Sequence, residues 1–204
     1  MNNYHYIAAS LPALTPDYVF TKESPSELKE WIREMCSEKD RELIDLLQSG
    51  FDKDSLDAEF YAKALGSKNR FIRAYYLFDL YVRNAKVEYL NARLGRPAGT
   101  DVLVLSDEEG SPVELPDFEE EADAQAALDS PDLLSREKAL DNLYWHKIED
   151  LTTFDWFTLE TLLGFLAKLR IVARWFELDE QTGREKFRAL VDEVRGTFKG
   201  VEYK

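Results

Sequence analysis

Few side chains in this sequence have the type and spacing that catalysis or metal binding needs. The chain contains two histidines, His5 and His146, and one cysteine, Cys36. On a helix, His146 would share one turn with Glu149 and Asp150, an arrangement that could offer three ligands to a metal ion. Flanked by aromatic residues, His146 is better explained as a surface or edge histidine that makes an ordinary hydrogen bond. We therefore predict no metal and no other cofactor.

Nucleophilic and acid–base catalysis have equally weak support. Cys36 falls near the predicted C-terminal end of a helix, where the helix dipole raises the pKa of a thiol. Asp155 and Glu160 lie near aromatic residues whose burial could raise the pKa of a carboxyl group, so an acid–base enzyme on a helical bundle is an alternative. The nine glycines form neither a Walker loop nor a dinucleotide fingerprint. We predict that the chain is not an enzyme.

The composition indicates a folded domain and argues against nucleic acid as a partner. Hydrophobic residues make up 45% of the 204 residues, enough for a buried core. The formal net charge of −14 has the wrong sign for a surface that neutralises phosphates. One cysteine and an N-terminus without an export signal favour the cytoplasm. The apolar segment that begins at Trp156 carries five charged residues before residue 178, which argues against membrane insertion.

Helical periodicity dominates the pattern of apolar residues and predicts an all-α fold. We expect a helical bundle of two loosely similar helical halves, each with one long central helix, joined by an acidic connector. The N-terminal half covers residues 1–97 with its long helix near 68–94. The connector covers residues 98–130. The C-terminal half covers residues 131–204 with its long helix near 155–178.

Capping signals place the shorter helices. Residues 24–27, Ser-Pro-Ser-Glu, predict a helix from about 25 to 36, and the Ser and Asp of residues 37–40 predict a second helix directly after it. A last amphipathic helix is predicted over residues 182–196. Residues 4–10 are predicted as a short strand or an extended arm, because a proline follows soon after.

The connector is distinguished by its acidic residues. Between Ser106 and Asp132 the chain holds eleven Asp and Glu and no Lys or Arg. Only Val102 to Leu105 resembles a strand, and the surrounding glycines and prolines are typical of irregular structure. The spacing of acids does not match a calcium-binding loop. We predict a solvated loop, with docking onto a basic partner as the alternative.

Five arginines lie on or just after the first long helix, interleaved with aromatic residues. Arginine and tyrosine are enriched at protein interfaces, so these arginines are candidate contact residues. Alternatively, they are solvated charges paired with Asp79 and Glu88. The five are Arg70, Arg73, Arg83, Arg93 and Arg96.

Two stretches resemble known families. Residues 71–79, FIRAYYLFD, followed by Arg83-Asn84 and by LNARLGRP at residues 90–97, resemble the helix signature of the C/d-type central-stalk subunits of V-type and A-type rotary ATPases. The opening YHYIAASLP of residues 4–12 is similar to the start of an uncharacterised bacterial family encoded alongside V-type ATPase operons.

This resemblance implies a fold of helical subdomains and a non-catalytic place in the central rotor, between the membrane c-ring and the axial stalk. The implied partners are rotor and membrane-ring proteins, which would hold the chain at the cytoplasmic face of the membrane. A helical adaptor or scaffold of an unrelated intracellular complex is the alternative. The positions matched to the family motif, or expected to contact partners, are Asp79, Arg83, Asn84, Asn91, Arg93 and Arg96.

Overall fold

The structure, a computed structural model, describes residues 4–21, 23–107 and 109–177. Within these ranges all regular structure is helical, which confirms the predicted all-α class. A short 3-10 turn, Lys53–Ser55, follows the third helix. The α-helices are α1 (Tyr4–Ser10), α2 (Pro25–Met35), α3 (Glu38–Ser49), α4 (Ala58–Leu65), α5 (Arg70–Leu94), α6 (Glu121–Leu128), α7 (Leu133–Thr152) and α8 (Leu159–Glu177).

The predicted capping boxes begin α2 and α3. The Ser24 hydroxyl accepts a hydrogen bond from the Glu27 amide at 3.2 Å, and the Glu27 carboxylate accepts one from the Ser24 amide at 2.7 Å. Ser37 and Asp40 repeat the arrangement for α3. Each box satisfies two amides that have no partner inside the helix. The two helices therefore begin where the sequence predicted.

Helix α5 is the longest helix in the described residues and extends for about 37 Å. Its first turn is capped by the Asn69 side chain, which accepts a hydrogen bond from the Ile72 amide at 3.1 Å. It ends at Gly95, whose φ of 64° is left-handed and favours glycine. The predicted bounds near 68–94 are thus close to those observed.

Three local predictions were wrong. Residues 4–10 form helix α1 rather than a strand or an extended arm, because Ile7 is fully buried and the helix packs against α8. Residues 102–105 form no strand, and the only pairing described nearby is an isolated bridge between Ser106 and Pro112. The connector contains helix α6, whose Ala124, Ala127 and Leu128 are buried. The predicted helix at 182–196 lies outside the described residues.

Helix α8 occupies the centre of the molecule. It packs against α1, α2, α3, α5 and α7, so its contacts cross the predicted boundary between the two halves. A second, smaller cluster joins the later part of α5 to α6 and α7 through Phe78, Val82 and Leu140. The residues of α8 that are at most 1% exposed are Leu162, Leu163, Leu166, Ala167, Leu169 and Val172.

Candidate functional site

The predicted site residues all lie on α5 or on the turn after it, and Asp79 is the most buried charged residue among them. The hydroxyl of Tyr61 donates to one Asp79 oxygen at 2.6 Å, and the hydroxyl of Tyr144 donates to the other at 2.7 Å. Tyr61 is on α4 and Tyr144 on α7. Asp79 therefore joins three helices through charge-assisted hydrogen bonds.

Burial keeps the surrounding tyrosines neutral. Desolvation, followed by the negative charge of Asp79, raises the pKa of Tyr61, of Tyr75 and of Tyr144. Desolvation is also the largest cause of the raised pKa of Tyr76, whose hydroxyl donates to the Leu47 carbonyl. A protonated hydroxyl is the form that can donate to a carboxylate or a carbonyl. The cluster is therefore suited to holding helices together.

Two asparagines of the motif hold the chain that follows α5. The Asn84 amide group donates to the Leu103 carbonyl at 2.9 Å and accepts from the Leu103 amide at 3.0 Å. The Asn91 side chain, 1% exposed, donates to the Thr100 carbonyl at 2.7 Å. We call this pair of attachments the α5 clasp; it folds residues 99–103 back along the helix.

The arginines of the motif have partners within the chain. Arg83 donates to the Leu56 carbonyl at 2.6 Å. The guanidinium of Arg93 lies 5.1 Å from the centre of the Tyr89 ring, and Arg96 forms an ion pair with Asp101. Of the six predicted site residues, Arg93 and Arg96 are the ones exposed to solvent. A partner that bound this motif would therefore meet these two arginines first.

The acids expected to pair with arginines have other donors. Asp79 accepts from tyrosines, and Glu88 accepts from the Gly99 amide at 2.8 Å. Arg70 instead forms an ion pair with Asp155, and Arg73 donates to the Ser67 carbonyl at 2.8 Å. Arg70 and Arg73 thus attach to neighbouring loops.

An exposed aromatic cluster, which the sequence did not predict, lies between α7 and α8. Helix α8 begins at Leu159, four residues later than predicted, so Trp156 lies in the loop rather than on the buried face of a helix. Phe154 is 88% exposed, Trp156 70% and Phe157 41%. We call these three side chains the aromatic tip. In the sequence, the only indication of this cluster is that three aromatic residues occur within four positions.

Polar contacts fix the loop that presents the aromatic tip. Asp155, between the two most exposed rings, forms an ion pair with Arg70 at the start of α5. The Thr161 hydroxyl donates to the Asp155 carbonyl at 2.6 Å, and the imidazole of His5 stacks on Phe157 with ring centres 3.9 Å apart. The tip is therefore held in place while its two most exposed rings point into solvent.

A groove lies at the other end of the α7–α8 pair. Its volume is about 870 Å³, and it is lined by the loop before α2, by residues of α7 from Leu134 to Trp145 and by the last turns of α8. Helix α8 is about 28 Å long, which separates the groove from the aromatic tip. The lining includes Tyr18, Val19, Leu134, Trp145, Trp175 and Phe176.

The residues considered for catalysis do not converge. Cys36 is buried, and desolvation raises the pKa of its thiol to about 11. His146 is exposed on α7, and in the described part of the chain no three His, Cys, Asp or Glu side chains are placed to hold a metal ion. Asp155 is paired with Arg70, and Glu160 accepts a hydrogen bond from the Asn69 side chain at 2.9 Å.

Within residues 4–21, 23–107 and 109–177, every helix is too short or too polar to cross a bilayer.

Comparison with known families gave one match. A family model described as "Protein of unknown function (DUF2764)" matches residues 1–56 and 51–197. The matched region therefore covers nearly the whole chain and continues beyond the end of α8. Neither the curated proteins nor the solved structures gave a match.

Proposed function

The chain belongs to the family "Protein of unknown function (DUF2764)", and from this premise we propose that it is a non-catalytic, protein-binding component of a rotary ATPase stalk. The role resembles that of the C/d-type central-stalk subunits of V-type and A-type ATPases. Its partners are rotor and membrane-ring proteins, which hold it at the cytoplasmic face of the membrane. It transmits force through rigid helices and performs no chemistry.

The choice of complex rests on the sequence resemblance of α5 and the turn after it. The internal contacts of α5 are consistent with a stiff element: Asp79 joins α4, α5 and α7, and the α5 clasp attaches the following loop. A protein that transmits torque needs helices that do not slide, and buried charge-assisted hydrogen bonds oppose sliding. These contacts support a mechanical role for the bundle.

The observation that carries the proposal of protein binding is the aromatic tip. Phe154 and Trp156 expose most of their surface on a loop that Asp155 and Arg70 hold in place. Aromatic side chains are enriched among residues that dominate binding energy, and a fixed loop loses little entropy when it binds. Burying each ring in a partner would contribute roughly 1.5–3 kcal/mol.

Co-purification tests this proposal. The full chain, carrying an affinity tag, is expressed in the organism that encodes it, and membranes are solubilised in mild detergent before capture. We expect V-type ATPase subunits among the captured proteins. The double variant Phe154→Ala with Trp156→Ala should lower their recovery by at least tenfold, because two buried anchors would be lost.

Val104→Ala is the matched control, since Val104 is also a large exposed apolar residue, 59% exposed, but lies in the connector. This variant should recover as much of the ATPase subunits as the unmodified chain does. Capture of a different complex, without ATPase subunits, would refute the stalk assignment and favour the adaptor alternative. Unchanged recovery for the double variant would show that the aromatic tip is not the contact.

A further inference from the structure

An amino group without a partner lies on α5. In the part of the chain that the structure describes, Lys86 is half-buried, and its amine forms neither a hydrogen bond nor an ion pair. Lysine is almost never fully buried unless it is paired. The amine of Lys86 still reaches solvent, because the unpartnered polar side-chain atoms that the described residues enclose completely belong to Asn91 and Thr158. Lys86 is therefore both unpaired and accessible to a small molecule.

Three carboxylates lie close enough to act on the charge of Lys86, but each is bound by other donors. Asp79, two turns earlier on α5, accepts from two tyrosine hydroxyls. Glu137 and Asp141, both on α7, form ion pairs with Arg174 of α8, the first at 3.1 Å. The neighbouring acids are thus held away from the Lys86 amine by contacts that the fold already makes.

These surroundings favour the neutral amine. Loss of hydration on burial lowers the pKa of the Lys86 ammonium, and the positive charge of Arg174 acts in the same direction, whereas the three carboxylates oppose the shift. Burial prevails because no carboxylate binds the ammonium directly. A neutral amine carries the free electron pair that a nucleophile needs. At neutral pH Lys86 therefore holds a larger share of the reactive form than an ordinary lysine does.

We propose that Lys86 is an acylation site, whose unpaired amine between α5, α7 and α8 takes a small acyl group from an activated donor, an acyl phosphate or an acyl thioester. The Lys86 nitrogen forms a bond to the acyl carbon, and the bond from that carbon to the phosphate oxygen or the thioester sulfur breaks. Phosphate or thiolate leaves with the electron pair, and the nitrogen loses a proton to solvent. The product is a neutral amide in place of a cation.

The site is separate from the aromatic tip. Along α5, about 24 Å separate Lys86 from Arg70, which holds the tip loop. The isolated chain is sufficient to test the site, so the outcome does not depend on the stalk proposal.

Competitive labelling of the unmodified full chain tests the proposal. The chain is incubated at neutral pH with limiting acetyl phosphate or, in a second arm, with a limiting acetyl thioester, and peptide mass spectrometry measures acetylation of each lysine. Lys147 and Lys168 are the matched controls, because their side chains are 21% and 18% exposed but form ion pairs with glutamates. Lys86 should be acetylated about tenfold faster than either, since one pKa unit changes the neutral fraction about tenfold.

The arm in which Lys86 is preferred identifies the class of donor. Equal rates for Lys86 and both controls with both donors would overturn the proposal. The pH dependence separates ionisation from access: acetylation of Lys86 should reach half its maximal rate at a lower pH than acetylation of the exposed Lys63 in the same sample. A half-maximum at the same or a higher pH would overturn the proposal as well.

Arg174→Gln tests why the amine is unpaired. The substitution releases Glu137 and Asp141 to bind the Lys86 ammonium, so acetylation of Lys86 should slow severalfold. Arg33→Gln is the control, because it breaks an exposed ion pair between α2 and α3 and should leave the rate unchanged. Circular dichroism verifies that both variants keep their helices. Unchanged or faster acetylation of Lys86 in a folded Arg174→Gln chain would refute the proposal.

Discussion

At the scale of single residues, the contacts of Asp79 explain why an acid is tolerated inside the bundle. Each oxygen of the carboxylate accepts from a tyrosine hydroxyl, from Tyr61 on α4 and from Tyr144 on α7. A buried carboxylate without such donors would cost several kcal/mol. The same hydroxyls must remain protonated to donate these hydrogen bonds. The stability of the cluster therefore depends on pH through the ionisation of its tyrosines.

The raised pKa of each clustered tyrosine predicts alkaline unfolding. Burial raises the pKa of Tyr61, Tyr75, Tyr76 and Tyr144 above the value of about 10 expected in the unfolded chain. The unfolded state therefore loses these protons first as pH rises. The stabilisation is complete below about pH 10 and should fall above it by up to about 1.4 kcal/mol per pH unit for each tyrosine.

Denaturant titrations between about pH 8 and pH 12 measure this loss, because the range spans the ordinary tyrosine pKa. Part of the tyrosinate absorbance should appear together with the loss of the helical circular dichroism signal. If all the tyrosinate absorbance developed while the helical signal was intact, the four tyrosines would ionise in the folded chain, and burial would not be raising the pKa of their hydroxyls. Tyr144→Phe offers a control, because it removes one ionisable group and should make the alkaline loss less steep.

At the scale of elements, the α5 clasp shows how a helix positions an irregular segment. Asn84 pairs with both backbone groups of Leu103, much as a neighbouring strand would. Residues 102–105 thus satisfy part of their backbone with a side chain and form no sheet. The apolar composition of residues 102–105 is typical of a strand, but no strand forms there, because the Asn84 side chain takes the place of a strand partner.

Asn84→Asp should loosen the clasp. The substitution replaces the amide donor with an oxygen that faces the Leu103 carbonyl, so one hydrogen bond becomes a repulsion between two acceptors. We expect a loss of about 1–3 kcal/mol in the free energy of unfolding and faster hydrogen exchange at the Leu103 amide. Arg93→Ala is the matched control on the same helix, because Arg93 is exposed.

If hydrogen exchange at the Leu103 amide stayed slow in Asn84→Asp, contacts other than the clasp would be holding the loop. The stability should also change less in Asn84→Ala than in the aspartate variant, since alanine removes both bonds without adding a repulsion.

The sequence predicted those elements whose signals are local. Capping residues set the start of α2 and α3, and the left-handed Gly95 sets the end of α5. Helix α1 was missed because Ile7 is buried where α1 packs on α8, an element from the opposite end of the described chain. The aromatic tip was missed for a related reason: apolar periodicity extends through Trp156, and only the tertiary structure shows that the helix starts later.

At the scale of the whole molecule, α8 packs against five other helices, α1, α2, α3, α5 and α7. The close approach of α8 to two of them needs a small residue. Gly164 lies where α8 approaches α7 and α5. A Cβ at this position would lie 2.7 Å from the Thr152 side-chain methyl, 3.3 Å from an Ile148 methyl and 3.6 Å from the Phe71 ring. In an exposed helix, replacing glycine with alanine would increase the free energy of unfolding by about 1 kcal/mol. Here overpacking should oppose that gain.

We expect Gly164→Ala to lower the free energy of unfolding by up to about 2 kcal/mol, because overpacking typically costs about 1–3 kcal/mol and the gain in helix propensity offsets about 1 kcal/mol of it. Thr152 cannot easily turn away, since its hydroxyl donates to the Ile148 carbonyl at 2.8 Å. Thr152→Ser removes the obstructing methyl and keeps that hydroxyl. Added to Gly164→Ala, it should restore about 1 kcal/mol or more, measured as a coupling free energy in a double-mutant cycle of urea titrations. Additive effects of the two substitutions would mean that α7 and α8 separate without cost, and the bundle would then be too compliant to act as a rigid coupling element.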